Sequence, residues 1–274
     1  MAPSKAVSSN AIVDDGNDGN KITEYFKVKK GKSKAKNPLT EEQKLKRFKN
    51  KYGGLTEEEL CTRGLPDYLR EGLDIVFIGI NPGLAAAYSG RYYSGPGNHF
   101  WQSLYLSGLI PHPMSFEDDY KMLDYNIGFT DIVARTTRGL SDLKKSEIKE
   151  GAAILRDKLA KYKPKIAVFN GKAIYEVYSG QKKFMFGKQP EKMEGTDTWV
   201  WVMPSSSARC AQLPRAIDKV PFYTALQKFR DFVLGKIDEP HEEEVVFANV
   251  VLKNFPKKSS IKVEPEDSEE IKGQ

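Results

Sequence analysis

An asparagine and a run of serines, each set just after an apolar stretch of strand length, carry most of the chemical reach in this chain. Asn81 follows LDIVFIGI (73–80) and lies in the loop GINPGLAAAYSGRYYSGPGNHFW (79–101). A side-chain amide donates and accepts hydrogen bonds at once. It can hold a water molecule, but it cannot deprotonate one strongly. In the same loop Gly79, Gly83, Gly90, Gly95 and Gly97 either make tight turns or let the backbone lie against something flat. Tyr88, Tyr92 and Tyr93 offer an aromatic face for a base, although tyrosines serve equally well as packing. The second loop, MPSSSARCAQLPRA (203–216), follows TWVWVMP (198–204). Its Ser205, Ser206 and Ser207, followed by Arg209, suit a phosphate clamp with a wedge, since hydroxyls and backbone N–H groups hold phosphates without reading sequence. Taken alone, a serine run is also an ordinary polar turn.

Other chemistries lack their residues. No GxGxxG opens a helix and no GxxxxGK[ST] is present, so the first loop is not a recognised nucleotide-phosphate loop. HExxH, GxSxG and CxxC are absent. The three histidines are His99, His112 and His241, and His99, between Asn98 and Phe100, reads as a helix-start residue rather than a general base. Two cysteines, Cys61 and Cys210, are too few for a disulfide scaffold or a cysteine-based metal site. We therefore expect no metal, no cofactor and a reducing compartment. An enzyme built this way must rely on positioning, electrostatics and a good leaving group. No apolar run is long enough for a membrane span, and MAPSKAVSSN lacks the apolar core of a secretory signal. The net charge of +6 and pI near 9.0 favour an anionic partner, of which nucleic acid is the commonest.

The elements that must position these residues follow from hydrophobic pattern. LDIVFIGI, KIAVFNG (165–171) and TWVWVMP are nearly continuous apolar runs, as in parallel strands covered on both faces. Ile148, Ala152, Leu155, Leu159 and Tyr162 recur at helical spacing within 146–163, as do Phe222, Leu226, Phe229 and Val233 within 222–234, with Gly235 as a stop. Asn98 is a candidate cap for a helix carrying Phe100, Trp101, Leu104 and Tyr105, ended by Gly108. Alternating strands and helices predict an α/β fold with a mostly parallel sheet and the site at the carboxyl ends of the strands. Four zones follow: a basic arm at 1–38 read as disordered, a short helical lead-in at 39–64 with capping boxes at Thr40/Gln43 and Thr56/Glu59, a folded domain at 65–236, and a charged tail at 237–274.

At the two loops the chain resembles the mismatch-specific uracil/thymine DNA glycosylase family, in its animal thymine DNA glycosylase form. GINPG followed by PGNHFW, together with MPSSSARCAQ, carries the resemblance, which extends over IGFTDIVARTT (127–137), IAVFNGK (166–172), PRAIDKV (214–220) and ITEYFKVKK (22–30). It implies the uracil-DNA glycosylase-like fold, a three-layer α/β/α arrangement with a mostly parallel central sheet, and a monofunctional hydrolase acting on double-stranded DNA with G·T or G·U mispairs. The base would flip out and leave as an anion, and water would attack an oxocarbenium-like sugar. Asn81 would hold that water. Ile80, Gly83, Ala86, Ala87, Tyr92, Tyr93 and Asp131 would form the base pocket, with Ala86 and Ala87 leaving room for a 5-methyl group and Tyr93 stacking on the base. Backbone N–H groups near 92 and 93 would stabilise the departing oxygen. Ser205 and Ser207 would grip phosphates, Arg209 would fill the vacated stack, Ala208, Gln212 and Pro214 would contact the opposite guanine and its neighbours, and Ser206 and Cys210 would belong to the same DNA-binding loop. Flipping costs least at a mispaired base, which suits such specificity.

Two departures stand out. The family commonly has histidine where Tyr92 stands, which bears on thymine against uracil, and its vertebrate form has asparagine where Asp131 stands, so an ionised Asp131 is expected to oppose 5-carboxylcytosine. In the tail, IKVE (261–264) before PEDSEE fits conjugation of a small ubiquitin-like modifier at Lys262, and residues 245–250 fit a strand that binds the modifier without a covalent bond. The resemblance further implies nuclear localisation, a monomer, an abasic endonuclease acting downstream, and a link to base excision repair and DNA demethylation. Two other readings stay open: a uracil-selective glycosylase, and a catalytically weak DNA-binding scaffold for transcription or chromatin partners.

Overall fold

The computed structural model describes residues 39–248. The basic arm, Lys262 and the end of the 245–250 segment lie outside them. Two short helices lead in. α1 (Glu41–Lys51) and α2 (Glu57–Cys61) each begin with the expected capping box, in which Thr40 pairs with Gln43 and Thr56 with Glu59. α1 buries none of its side chains, whereas Leu60 of α2 is fully buried with Tyr52 and Leu84 in a small core of its own.

A six-stranded sheet of order β2-β1-β3-β5-β4-β6 forms the centre. β1 (Ile75–Gly79), β2 (Ile127–Asp131), β3 (Ile166–Asn170) and β5 (Trp199–Met203) run parallel, while β4 (Phe186–Lys188) and β6 (Val246–Phe247) continue the sheet antiparallel. β1, β3 and β5 are the three apolar runs, trimmed at their ends. Register assigns their side chains to two faces. Phe77 pairs with Val168 and Val168 with Trp201, so these three share one face. On that face Phe77 packs against Phe100 of α4 (Phe100–Leu106), and Trp201 stacks on Phe229 of α7 (Ala216–Val233). Phe169, one residue along, points the other way and meets Tyr175 and Tyr178 of α6 (Lys172–Ser179). α6 packs with α5 (Lys145–Tyr162), completing the three layers. α5 sits tight because Gly151 faces the chain at Ile132, where a Cβ would overlap the Ile132 carbonyl oxygen.

Several elements differ from the sequence reading. β2 was not among the apolar runs, because Gly128, Thr130 and Asp131 interrupt its pattern. α7 starts at Ala216 rather than at 222 and carries Pro221 within it. His99 occupies the cap position of α4, yet the Asn98 side chain accepts from the Phe100 N–H at 3.0 Å and does the capping. The first part of the charged tail belongs to the fold. α8 (Glu242–Val245) leads into β6, Val245 is buried, and Phe247 packs on Phe222. Residues 245–247 are therefore already engaged, because β4 presents an open sheet edge that this apolar island covers. Among the described residues no helix is long and apolar enough to cross a membrane.

Candidate active site

The strand order turns back at β1, whose neighbours β2 and β3 both come later in sequence, and such a switch point opens a crevice beyond the strand ends. A cavity of about 1130 Å³ occupies it. Ile80, Asn81, Gly83 and Ala86 line it from the first loop and from α3 (Leu84–Ser89), Tyr92 and Tyr93 from the segment that follows, Asp131 from β2, and Ser205 to Arg209 from the second loop.

Asn81 is held in one orientation. Its Nδ2 donates to the Arg135 carbonyl and to Thr137 Oγ1, each at 2.8 Å. The carbonyl can only accept, and the Thr137 hydroxyl spends its own proton on the Gly139 carbonyl at 2.9 Å. Both partners therefore demand the amide nitrogen, and Oδ1 is left as the acceptor at the cavity. The supporting loop is itself braced: Thr137 N–H donates to the Pro82 carbonyl at 3.1 Å, and the Arg135 guanidinium grips Glu147 of α5 with two nitrogens. That grip holds the Glu147 carboxyl down at about 2.

The tyrosines divide by burial. Tyr92 is 3% exposed and its ring stacks on Phe129, so it is largely a core residue that reaches the cavity at one edge. Its N–H donates to Asp119 at 2.9 Å and cannot serve a departing base, which corrects the expectation for residue 92; buried Asp119 accepts it because Arg91 compensates the charge from 2.8 Å. Tyr93 adopts the left-handed backbone region with φ of 55°. One face of its ring is stacked on Phe100, with centroids 3.8 Å apart, and its buried hydroxyl has no hydrogen-bond partner among the described residues. Burial pushes both phenols above their usual range. Ala86 borders the cavity, whereas Ala87 is buried away from it because its helix turns that side toward the core.

Asp131 is the last residue of β2, paired with Gly79, and a Cβ at Gly79 would overlap its carboxylate oxygen. The carboxyl is pushed up to about 7, first by burial and then by Asp67, with Lys158 opposing. Lys158 is itself committed to Asp67 at 2.6 Å.

In the second loop the three serines do different things. Ser206 is buried, its Oγ accepts from Asn170 Nδ2 at 3.0 Å, and its N–H donates to Asn170 Oδ1 at 3.2 Å. It anchors the loop to the end of β3 and is not free to grip a phosphate, which corrects its expected role. Ser205 Oγ and Ser207 Oγ accept from the N–H groups of Ser207 and Arg209 respectively, so their protons remain available to donate outward. Ala208 and Arg209 are exposed at the rim, and Cys210, Gln212 and Pro214 lie outside the cavity lining on the adjoining surface. Lys219 of α7, almost fully buried, donates to the Ser207 carbonyl at 3.0 Å and meets His99 Nδ1 at 2.8 Å. Burial and this lysine lower the His99 pKa.

Sequence reasoning had not singled out Arg135, Thr137, Asn170 or Lys219 as supports of the site. IGFTDIVARTT and PRAIDKV were noted as whole segments, but nothing local distinguishes these side chains. Nor had it foreseen that the lead-in would wall the cavity, where Lys44, Lys49 and Tyr52 contribute to the lining. Among the described residues no group of three or more His, Cys, Asp or Glu is placed to hold a metal ion.

A family profile described as the uracil DNA glycosylase superfamily matches residues 66–230. A G/U mismatch-specific uracil DNA glycosylase of Schizosaccharomyces pombe is 34% identical over 159 residues, covering 54% of this chain and 48% of that protein. The chain thus matches about half the length of this curated relative. The solution NMR structure of a candidate uracil DNA glycosylase from Methanosarcina acetivorans aligns over 60% of this chain and 98% of its own, with 24% identity and a TM-score of 0.42.

Proposed function

The chain belongs to the uracil DNA glycosylase superfamily, and from that premise we propose that it is a mismatch-directed DNA glycosylase that removes uracil, and with it thymine, opposite guanine. The observation that carries the reading is Asn81, a cavity-lining residue whose amide nitrogen is fully spent on Arg135 and Thr137, which leaves Oδ1 as its free acceptor. A water bound there would donate one hydrogen to Oδ1 and aim a lone pair at the anomeric carbon of a flipped nucleotide. The N-glycosidic bond breaks with its electron pair leaving on the base, the water oxygen bonds to the sugar carbon, and the water's second proton goes to solvent. Ser205 and Ser207 donate to phosphates beside the flipped residue, and exposed Arg209 fills the gap in the stack. A wobble pair lowers the cost of flipping, and the opposite guanine offers a distinct edge to read.

Uracil comes first in this reading, because the relative from S. pombe is named for G/U mispairs and because Tyr92 is held in the core. Thymine needs room for its methyl group, which Ala86 supplies at the cavity wall. Oxidised 5-methylcytosine, and with it a part in demethylation, is a further candidate that depends on the charge of Asp131. Action in the nucleus as a monomer, hand-over of the abasic site to an endonuclease, and modifier conjugation at Lys262 complete the proposal. Docking of the modifier on residues 245–250 would first require release of Val245 to Phe247 from the sheet.

The test is incubation with labelled duplexes carrying G·U, G·T or A·T, followed by alkaline cleavage of abasic sites, beside Asn81→Ala. Loss of an aligned water is expected to lower the rate at least 100-fold. Cleavage of G·U alone would narrow the proposal to uracil, and mismatch binding without cleavage would favour the scaffold reading.

A further inference from the structure

A half-buried carboxyl with no partner among the described residues lines the cavity. Asp131 makes no hydrogen bond and no ion pair among the described residues, although its neighbours are well provided. On the loop before β1, Asp67 accepts from Thr130 at 2.7 Å and pairs with Lys158 of α5, which also reaches Thr130 at 3.3 Å. Tyr92 and Tyr93 line the same cavity, near enough to feel the Asp131 charge, and are neutral. From β1, Gly79 offers only the space its missing Cβ leaves. The groups around Asp131 thus supply one committed cation, one competing carboxylate and low polarity, an environment that favours the neutral acid.

The two states of this group do different chemistry. A neutral acid presents an O–H donor beside a carbonyl acceptor. That pair complements the imide edge of uracil or thymine, where a carbonyl oxygen stands beside an N–H. A carboxylate presents acceptors only, and its charge opposes the negative charge that builds on a base leaving its sugar.

Resting on the glycosylase reading above, we propose that Asp131 is a specificity-determining residue that works as the neutral acid, donating to a base carbonyl and accepting from the adjacent N–H, and that its ionisation shuts the site down. The carboxyl's position near 7 sets the range in which the switch operates. Above it the carboxylate repels the departing base; below it the site behaves as though it carried an amide.

The experiment is a single-turnover pH–rate profile on a G·U duplex from pH 5.5 to 9, with Asp131→Asn as the isosteric comparison. The wild-type rate is expected to fall about tenfold per pH unit above the carboxyl's midpoint, while the variant stays flat and exceeds it by roughly 100-fold at pH 9. Parallel profiles for the two proteins would overturn the proposal and leave the glycosylase reading intact. Absence of cleavage by either protein at every pH would instead overturn the glycosylase reading. A carbon-13 titration of the aspartate carboxyls, assigned by the resonance missing in the variant, needs no activity: a midpoint near 7 supports the proposal and one near 4 overturns it.

Discussion

Lys219 places its ammonium 2.8 Å from His99 Nδ1 and 3.0 Å from the Ser207 carbonyl, so one buried cation ties the start of α4 to the serine loop. The same two segments are joined a second time by the His99 N–H, which donates to the Ser206 carbonyl at 3.0 Å. Lys219→Met keeps the volume and removes the donor. It takes one of two donors from the Ser207 carbonyl, which keeps the Cys210 N–H at 3.0 Å, and leaves a loop held by fewer bonds, costing about 1–2 kcal/mol. Thermal unfolding should shift down by several degrees, and affinity for a mismatched duplex should drop with it. An unchanged melt with unchanged affinity would mean that the loop is held by other contacts.

Thr137→Val removes the hydroxyl that accepts from Asn81 while keeping the shape. The amide then has one fixed partner instead of two, and its acceptor oxygen is no longer tied to one direction. A rate loss of about tenfold is expected, corresponding to one hydrogen bond. Binding of the mismatched duplex should hardly change, since Thr137 is buried. Thr137→Ser should restore the rate, and measuring single-turnover rates and affinity on all three proteins separates alignment from folding.

Asp131 has a second signature, in stability. Its folded-state pKa, about 7, lies above the usual carboxylate range, so the folded protein binds the proton more tightly than the unfolded chain. The resulting penalty is absent below about pH 4, grows between there and pH 7, and is complete above. Asp131→Asn should therefore raise the melting temperature by a few degrees at pH 8 and leave it little changed at pH 4. Equal gains at both values would show that the carboxyl is ionised at no cost.

Gly151→Ala tests the seat of α5. The added Cβ would overlap the Ile132 carbonyl oxygen, which is backbone and cannot rotate away. The helix must lift, at a cost of about 2–3 kcal/mol. Because Arg135 is gripped by Glu147 on the same helix, activity should fall further than the melt alone explains. A variant that melts early but retains the full rate in its folded fraction would separate the helix from the Asn81 support.

The sheet and the site were legible to different depths. LDIVFIGI, KIAVFNG and TWVWVMP announce β1, β3 and β5 because a strand buried on both faces needs no polar alternation. β2 hides its nature, since its polar residues Thr130 and Asp131 belong to the site and its neighbours, and Gly128 is small because the Tyr68 backbone packs there. Asn81 and the serines stood out because chemistry at a strand end sits beside the signal that locates the strand. Thr137 lies 56 residues from the amide it holds and Lys219 lies 120 from His99, and pairings of that range leave no local periodicity to read. Burial divides Ser206 from its two neighbours, and composition treats all three alike.

The four parallel strands bring Asp131, Asn81, Asn170 and Ser205 to the same edge of the sheet, each at a strand's last residue or within two residues of it. Neighbouring strands lie about 4.8 Å apart, so three intervals make a ruler roughly 14 Å long. The separation between the end that would judge a base and the end that would hold a backbone phosphate is thus set by hydrogen-bonded rungs. Loop length has little say in it. Insertions in the connecting loops leave this calibration untouched, whereas slipping any one strand by a single residue would turn its mark to the opposite face.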